Sequence, residues 1–135
     1  MKYQIKDIKS SATKVIDITE YFTDPGGPVI LTIRHYSHYE ANEINALLLQ
    51  GQRFKRGRDD ENEVSIDKFH MAEAFLARMQ AGVVVEDKEF PFQSWNAEFI
   101  RELDNVNPGL TGFINDQIVE HNRPLLKKRG KSSSG

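Results

Sequence analysis

The sequence predicts an α+β fold, in which antiparallel strands over about residues 3–36 precede about four α-helices. Up to residue 36, apolar residues alternate with polar ones, which is the period of a half-buried strand. From Ser37 onward, apolar residues recur every three or four positions, which is the period of an amphipathic helix. No helical segment separates the predicted strands, so they favour an antiparallel meander over βαβ units.

Three segments of the first third carry the strand pattern. YQIKDI alternates Tyr3 and Ile5 with polar residues, and KVIDIT does the same with Ile16 and Ile18. TDPGGP at 23–28 predicts a turn, because proline fixes φ and glycine permits positive φ. The third segment, VILTIRHY, places four residues on one face: Val29, Leu31, Ile33 and His35.

The first helix is predicted to begin after Ser37. Ser37 and Glu40 form the S-x-x-E pattern of a capping box, in which each side chain bonds the backbone N–H of the other residue. Gly51 marks the expected end of this helix. Three apolar residues between these points have helical spacing: Ile44, Leu47 and Leu48.

A second helix is predicted from about Ser65 to Gly82, with Asp67 in its first turn. The segment VVVEDKEFPF after it predicts a short strand or an extended loop, because Pro91 excludes a central strand. The apolar stripe of the helix comprises Ile66, Phe69, Ala72, Phe75, Leu76 and Met79.

Two further helices are predicted in the last third. Ser94 is the expected N-cap of the third helix, and Asn107 caps the fourth with Pro108 at its first position. Pro124 is expected to end or bend the fourth helix. The apolar residues of the third are Trp95, Phe99, Ile100 and Leu103, and those of the fourth are Leu110, Phe113, Ile114 and Ile118.

The length of 135 residues predicts one α+β domain over 1–126, followed by a flexible, basic and serine-rich tail at 127–135. The polar segment 52–64 is expected to be mobile as well. The chain has no cysteine, which excludes disulfides and thiolate metal sites and suits the cytoplasm. The apolar runs are shorter than the ~20 residues that span a bilayer, and no signal peptide is expected.

The stretch RHYSHYE at 34–40 raises the question of a metal site, because His35 and His38 lie near Glu40 and Glu43. The capping box places His35 at the end of a strand and His38 at the start of a helix, so their side chains are not expected to converge. The stretch therefore predicts a strand-to-helix joint. We also find no nucleophile elbow, P-loop or dinucleotide fingerprint, so we expect no enzyme activity, catalytic residue or cofactor.

The segment RFKRGRDDENE contains four basic residues that could contact phosphate or nucleic acid: Arg53, Lys55, Arg56 and Arg58. The acidic residues next to them screen that attraction, and the net charge of −2 makes nucleic-acid binding the weaker hypothesis. A solvated loop is the alternative. The aromatic cluster of Phe90, Phe92, Trp95 and Phe99 has two explanations, which are core packing and an interface anchor.

Residues 94–135, SWNAEFIRELDNVNPGLTGFINDQIVEHNRPLLKKRGKSSSG, form a helical end in which a proline turn leads to an amphipathic helix, an E-x-N ending and a polar tail. This end, about a third of the chain, resembles the tail assembly chaperones of long-tailed bacteriophages. The resemblance implies a non-catalytic, self-associating protein that coats the tape measure protein and recruits tail tube subunits. It also implies absence from the mature virion, and LKK at 126–128 permits a frameshifted longer form.

The partner-binding residues predicted from this hypothesis form the stripe of the last helix, laid along a partner helix. The alternative is that the same stripe packs inward. The residues are Leu110, Phe113, Ile114, Ile118, Leu125 and Leu126.

Two other functions remain open. A virion structural protein, such as a minor tail or head–tail connector subunit, could add its strands to a neighbour's sheet edge. A small nucleic-acid-binding regulator could use Arg53 to Arg58 together with Lys127 to Lys131.

Overall fold

A computed structural model describes residues 1–56, 62–66 and 68–130, with side chains placed for 1–51 and 68–123. In these residues two antiparallel strands precede four α-helices, which confirms the α+β fold class. A second antiparallel pair of strands lies between the first two helices. The elements are β1 (Lys14–Asp17), β2 (Ile30–Ile33), α1 (His38–Gln50), β3 (Gln52–Arg56), β4 (Asn62–Ile66), α2 (Lys68–Gly82), α3 (Ala97–Val106) and α4 (Pro108–Gly130).

The β1–β2 pair follows the predicted alternation. Lys14 lies opposite Ile33 and Asp17 lies opposite Ile30, so the two strands run antiparallel over their full lengths. On its other side β2 meets the chain after α2 through a single antiparallel bridge between Ile33 and Val83. Four residues of KVIDIT and VILTIRHY are buried as their period predicts: Ile16, Ile18, Leu31 and Ile33.

The prediction of a strand at YQIKDI is wrong. Residues Ile5–Asp7 form a 3₁₀ turn instead, and the Gln4 backbone N–H donates to Asp7 Oδ2 over 2.8 Å. Tyr3 and Ile5 are exposed, so these alternating apolar side chains do not pack on a buried face of a sheet. Alternation produces a strand when a partner strand supplies the ladder, and none of the described strands pairs with this segment.

The capping box of α1 is confirmed. The Glu40 N–H donates to Ser37 Oγ over 3.1 Å, and the Ser37 N–H donates to Glu40 Oε1 over 2.8 Å. The helix ends at Gly51 as expected, and Ile44 is its buried residue. These contacts fix the direction in which α1 leaves β2.

The polar segment 52–64, for which mobility was predicted, contains the strands β3 and β4, which form an antiparallel hairpin. Gln52 lies opposite Ile66 and Arg56 lies opposite Asn62. The turn at 57–61 lies outside the described residues. The hairpin also moves the start of α2 from Ser65, which lies in β4, to Lys68.

The ends of α2 and α3 differ slightly from the prediction. Phe69 is exposed rather than part of a buried stripe, whereas Leu76 and Met79 are buried. The N-cap of α3 is Asn96 instead of Ser94, because Asn96 Oδ1 accepts the N–H of Phe99 over 2.8 Å. Both residue types cap well, so the sequence did not discriminate between positions two residues apart.

Helix α4 begins as predicted, with Asn107 Oδ1 accepting the Leu110 N–H over 3.2 Å. It does not end at Pro124 but continues to Gly130, so residues 127–130 of the predicted flexible tail are helical. Proline inside a helix removes one backbone donor, and the helix continues past that gap. Residues 131–135 lie outside the described residues.

The core lies where β1 and β2 meet helices α2, α3 and α4. Gly82 lets α2 approach α4 closely: a Cβ atom there would lie 2.5 Å from Cγ2 of Ile118. Six of the core side chains have no solvent exposure: Ile18, Ile33, Met79, Ile100, Ile114 and Ile118.

Candidate interaction surfaces

The partner-binding stripe predicted on α4 packs inward. Leu110, Ile114 and Ile118 are buried in the core, and Phe113 is half-buried with its ring centroid 5.9 Å from that of Tyr21. These side chains would reach a partner helix only if α4 left the core. The physical reason is that α2, α3 and β2 surround this face of α4, so burial inside the chain already satisfies its apolar pattern.

The other predicted contact residues lie outside the two ranges whose side chains the structure describes. Leu125 and Leu126 belong to the last turns of α4. Arg53, Lys55 and Arg56 lie on β3, and Arg58 lies outside the described residues.

The register of the β3–β4 hairpin bears on the basic segment. Successive positions of a strand lie on opposite faces, so position 56 does not share a face with positions 53 and 55. Lys55 lies opposite Glu63, which places an acidic residue within the basic segment. The backbone therefore does not gather these residues into one basic row.

The joint at 34–40 contains a cluster that sequence reasoning missed. The rings of His35 and His121 stack with centroids 4.1 Å apart. His35 Nε2 donates to the His121 carbonyl oxygen over 3.0 Å, and His121 Nε2 donates to the Ala12 carbonyl oxygen over 3.1 Å. The hydroxyl of Ser11 completes the cluster by bonding His35 Nδ1. These bonds tie the chain before β1 and the end of β2 to α4.

Asn122 makes the second connection between α4 and the joint. It is buried, its Oδ1 accepts the Tyr36 N–H over 3.1 Å, and its Nδ2 donates to the Ile118 carbonyl oxygen over 2.8 Å. His38 is exposed at the first position of α1, whereas His35 stacks on His121. In the described ranges no three histidine, cysteine, aspartate or glutamate residues come together as a metal site. The stretch is a strand-to-helix joint, as predicted.

The aromatic cluster belongs mainly to the core, which was the first of its two explanations. Trp95 is buried, and its Nε1 donates to the Met79 carbonyl oxygen over 2.8 Å. Phe92 stacks on Trp95 with centroids 5.3 Å apart and is itself half-buried, as are Phe90 and Phe99. The cluster thus lies at the border of the core, with Phe90, Phe92 and Phe99 partly exposed.

Two cavities lie on the surface of α2 and share Gln80. We call them together the α2 groove. The larger, of about 710 Å³, includes Asp87, Phe90, Phe92 and Trp95 in its lining. The smaller, of about 250 Å³, is lined by Glu40, Glu43, Ile44, Ala77, Gln80 and Ala81.

The carboxylates of the groove differ in their surroundings. Burial of Glu40 opposes its ionisation, but bonds from the Ser37 N–H and from the Arg34 guanidinium, at 2.6 Å, outweigh burial and lower its pKa. The N–H of Glu89 and then the hydroxyl of Thr32 lower the pKa of Asp87, so its charge has neutral partners. Arg34 thus balances Glu40, whereas no cation among the described residues pairs with Glu43 or Asp87.

A second exposed surface lies where α1 ends and α2 begins. Leu49, Phe69 and Met71 are 63%, 68% and 53% exposed. Leu49 precedes Gln52 by three residues and Phe69 follows Ile66 by three, and the Gln52–Ile66 pair holds these two chain segments side by side. We call these three residues the hairpin-end patch. Large apolar side chains left exposed mark an interaction site when they form a contiguous surface.

None of the helices in the described part of the chain combines the length and apolar content needed to cross a bilayer. Comparison of the sequence and fold with protein-family models, curated proteins and solved structures finds no match.

Proposed function

We propose that the chain is a non-catalytic tail assembly chaperone of a long-tailed bacteriophage, acting in the host cytoplasm. It binds the tape measure protein, recruits tail tube subunits, associates with further copies of itself and is absent from the mature virion. The resemblance of residues 94–135 to the helical end of this family is the source of the hypothesis. The resemblance suggests the class of partner, and the exposed surfaces of the chain support a place of contact for it.

The hairpin-end patch is the observation that best supports this function. Leu49 lies in the last turn of α1, Phe69 and Met71 lie in the first turn of α2, and all three side chains are exposed. An amphipathic partner helix buries apolar side chains of this kind. Each site would be small, but repetition along a long partner gains avidity without strong single contacts.

The burial of the α4 stripe changes the predicted binding residues but not the class of function. With Leu110, Ile114 and Ile118 in the core, the proposed contact moves to α1 and α2. Helix α4 then serves as the scaffold on which the strands and the other helices pack.

A virion structural protein is the alternative that one observation favours. Among the described strands β1 pairs only with β2, and Val15 is exposed on β1. An exposed strand edge can extend the sheet of a neighbouring subunit. A connector or minor tail subunit would use such an edge permanently, whereas a chaperone leaves before the particle is complete.

Immunoprecipitation from cells that produce the native gene, with intact-mass analysis of the recovered proteins, tests the proposal. We expect a long helical tape measure protein in the precipitate and none of this chain in purified particles. Stoichiometric presence in purified particles would favour the structural alternative. Recovery of no tape measure protein would contradict the chaperone function.

A further inference from the structure

The first ten residues form an arm that is apolar and basic at once. Tyr3, Ile5 and Ile8 are 77%, 89% and 66% exposed, so the arm lies away from the core of its own chain. Residues 1–10 contain three lysines and one aspartate, which gives a charge of +2. Exposed apolar side chains on a terminal segment gain free energy when a second surface covers them.

The arm has a fixed root. The Ala12 carbonyl oxygen accepts from His121 Nε2 over 3.1 Å, and the Ser11 hydroxyl bonds His35 Nδ1. Residues 1–10, which precede that root, span about 33 Å if extended, since each residue contributes at most ~3.3–3.6 Å. An arm of this length can reach a neighbouring molecule.

The α2 groove has the complementary chemistry. Phe90, Phe92 and Ile44 supply apolar lining, while Glu43 and Asp87 supply carboxylates whose charge no described cation balances. Neither cavity has a lysine or arginine among its described lining residues. The groove therefore favours a ligand that is apolar and positively charged along its length.

We infer that the α2 groove binds the N-terminal arm of a second copy of this chain. Lys2, Lys6 and Lys9 of the arm face the carboxylates of the groove, while Tyr3, Ile5 and Ile8 cover its aromatic and aliphatic lining. The contact joins two different surfaces, so two copies can exchange arms in a two-fold dimer, or the contact can continue head to tail through a row of copies. The inference deepens the self-association named in the proposed function by giving its two surfaces.

A charge exchange between two variants tests the inference by sedimentation velocity of the purified chain. The arm variant carries Lys2→Glu, Lys6→Glu and Lys9→Glu, and the groove variant carries Glu43→Lys and Gln80→Lys. The wild-type chain should associate. Each variant alone should associate at least about tenfold more weakly, because like charges then meet. An equimolar mixture of the two variants should regain association, because the acidic arm of one meets the basic groove of the other.

The matched control is Glu102→Lys with Asn105→Lys on the exposed face of α3, which alters the net charge by the same three units as the groove variant. Neither residue lines the groove, so association should remain as in the wild type. Any one of three results would overturn the inference: the wild-type chain stays monomeric, either variant associates like the wild type, or the mixture fails to regain association. The experiment contains no tape measure protein, so its failure leaves the tape measure contact standing, and the reverse also holds.

Discussion

The two faces of the molecule differ in how their apolar side chains are used. Around α4, the chain covers its own apolar surface: Ile114 and Ile118 have no solvent exposure, and Gly82 brings α2 close to them. At the junction of α1 and α2, Leu49 and Phe69 remain exposed. The comparison teaches that an amphipathic pattern does not identify a binding face, since the stripe of α4 fills the core while Leu49 and Phe69 meet solvent.

Because of this difference, we expect substitutions in the two regions to have different effects, on stability in one and on partner binding in the other. Substitutions around α4 should change the free energy of unfolding, because close-packed side chains there have no room to adjust. Substitutions in the hairpin-end patch should change partner binding with little effect on folding. The predictions below test this separation in decreasing order of effect.

The largest loss of stability is expected for Ile114→Ala. The side chain is completely buried among β2, α2 and α3, so its removal should lower the free energy of unfolding by about 2–5 kcal/mol. Urea denaturation followed by circular dichroism measures this change. A loss below about 0.5 kcal/mol, typical of surface sites, would mean that α4 does not pack as described.

Gly82→Ala tests the close approach of α2 and α4. The new Cβ would lie 2.5 Å from Ile118 Cγ2, so we expect a loss of about 1–3 kcal/mol from overpacking. Combining it with Ile118→Ala should relieve the clash, and the double variant should be more stable than the sum of the two single changes predicts. Additive effects would show that the two residues do not touch.

A smaller effect is expected from Glu40→Gln, through pH. The pKa of Glu40 lies below its ordinary value of 4.5 in the folded chain, so its ionised form stabilises the fold above about that pH. That contribution is lost as the pH falls through the folded pKa. Glutamine keeps an acceptor for the Ser37 N–H but loses the charge that faces Arg34.

Urea midpoints measured from pH 7 down to pH 2 check this prediction. The wild type should be the more stable of the two at pH 7, and the curves should converge at the acid end. Parallel curves over the whole range would mean that the Arg34–Glu40 contact does not contribute to stability.

The smallest change in stability is expected for Leu49→Ser combined with Phe69→Ser. Each exposed position should contribute within about 0.5 kcal/mol, because little apolar area leaves a buried site. The same urea titration measures this. A loss as large as that of Ile114→Ala would mean that the patch is part of the core.

The elements that the sequence predicted correctly depend on neighbours in the chain. The capping box needs only Ser37 and Glu40, and the alternation from Ile16 to Ile33 reads directly as two half-buried strands. The joint at 34–40 followed from the same local signals. Helix α4 was also correct at its start, where Asn107 and Pro108 act locally.

The elements that were missed depend on tertiary contacts. His35 bonds the carbonyl of a residue 86 positions later, and no local pattern links the two. The arm at YQIKDI alternates like a strand but pairs with none of the described strands, and the β3–β4 hairpin lies where polarity predicted a mobile segment. The inward direction of α4 likewise depends on which elements surround it, and its period alone left both directions open.

Co-expression with the proposed partner, a tape measure protein encoded by the same genome, tests the central claim most directly. The wild-type chain and the Leu49→Ser/Phe69→Ser variant are each recovered by affinity, and the co-purified tape measure protein is quantified. We predict that the wild type recovers it and that the variant, folded to the same extent, does not. Equal recovery by both chains would contradict the assignment of binding to the hairpin-end patch, and recovery by neither would contradict the chaperone function itself.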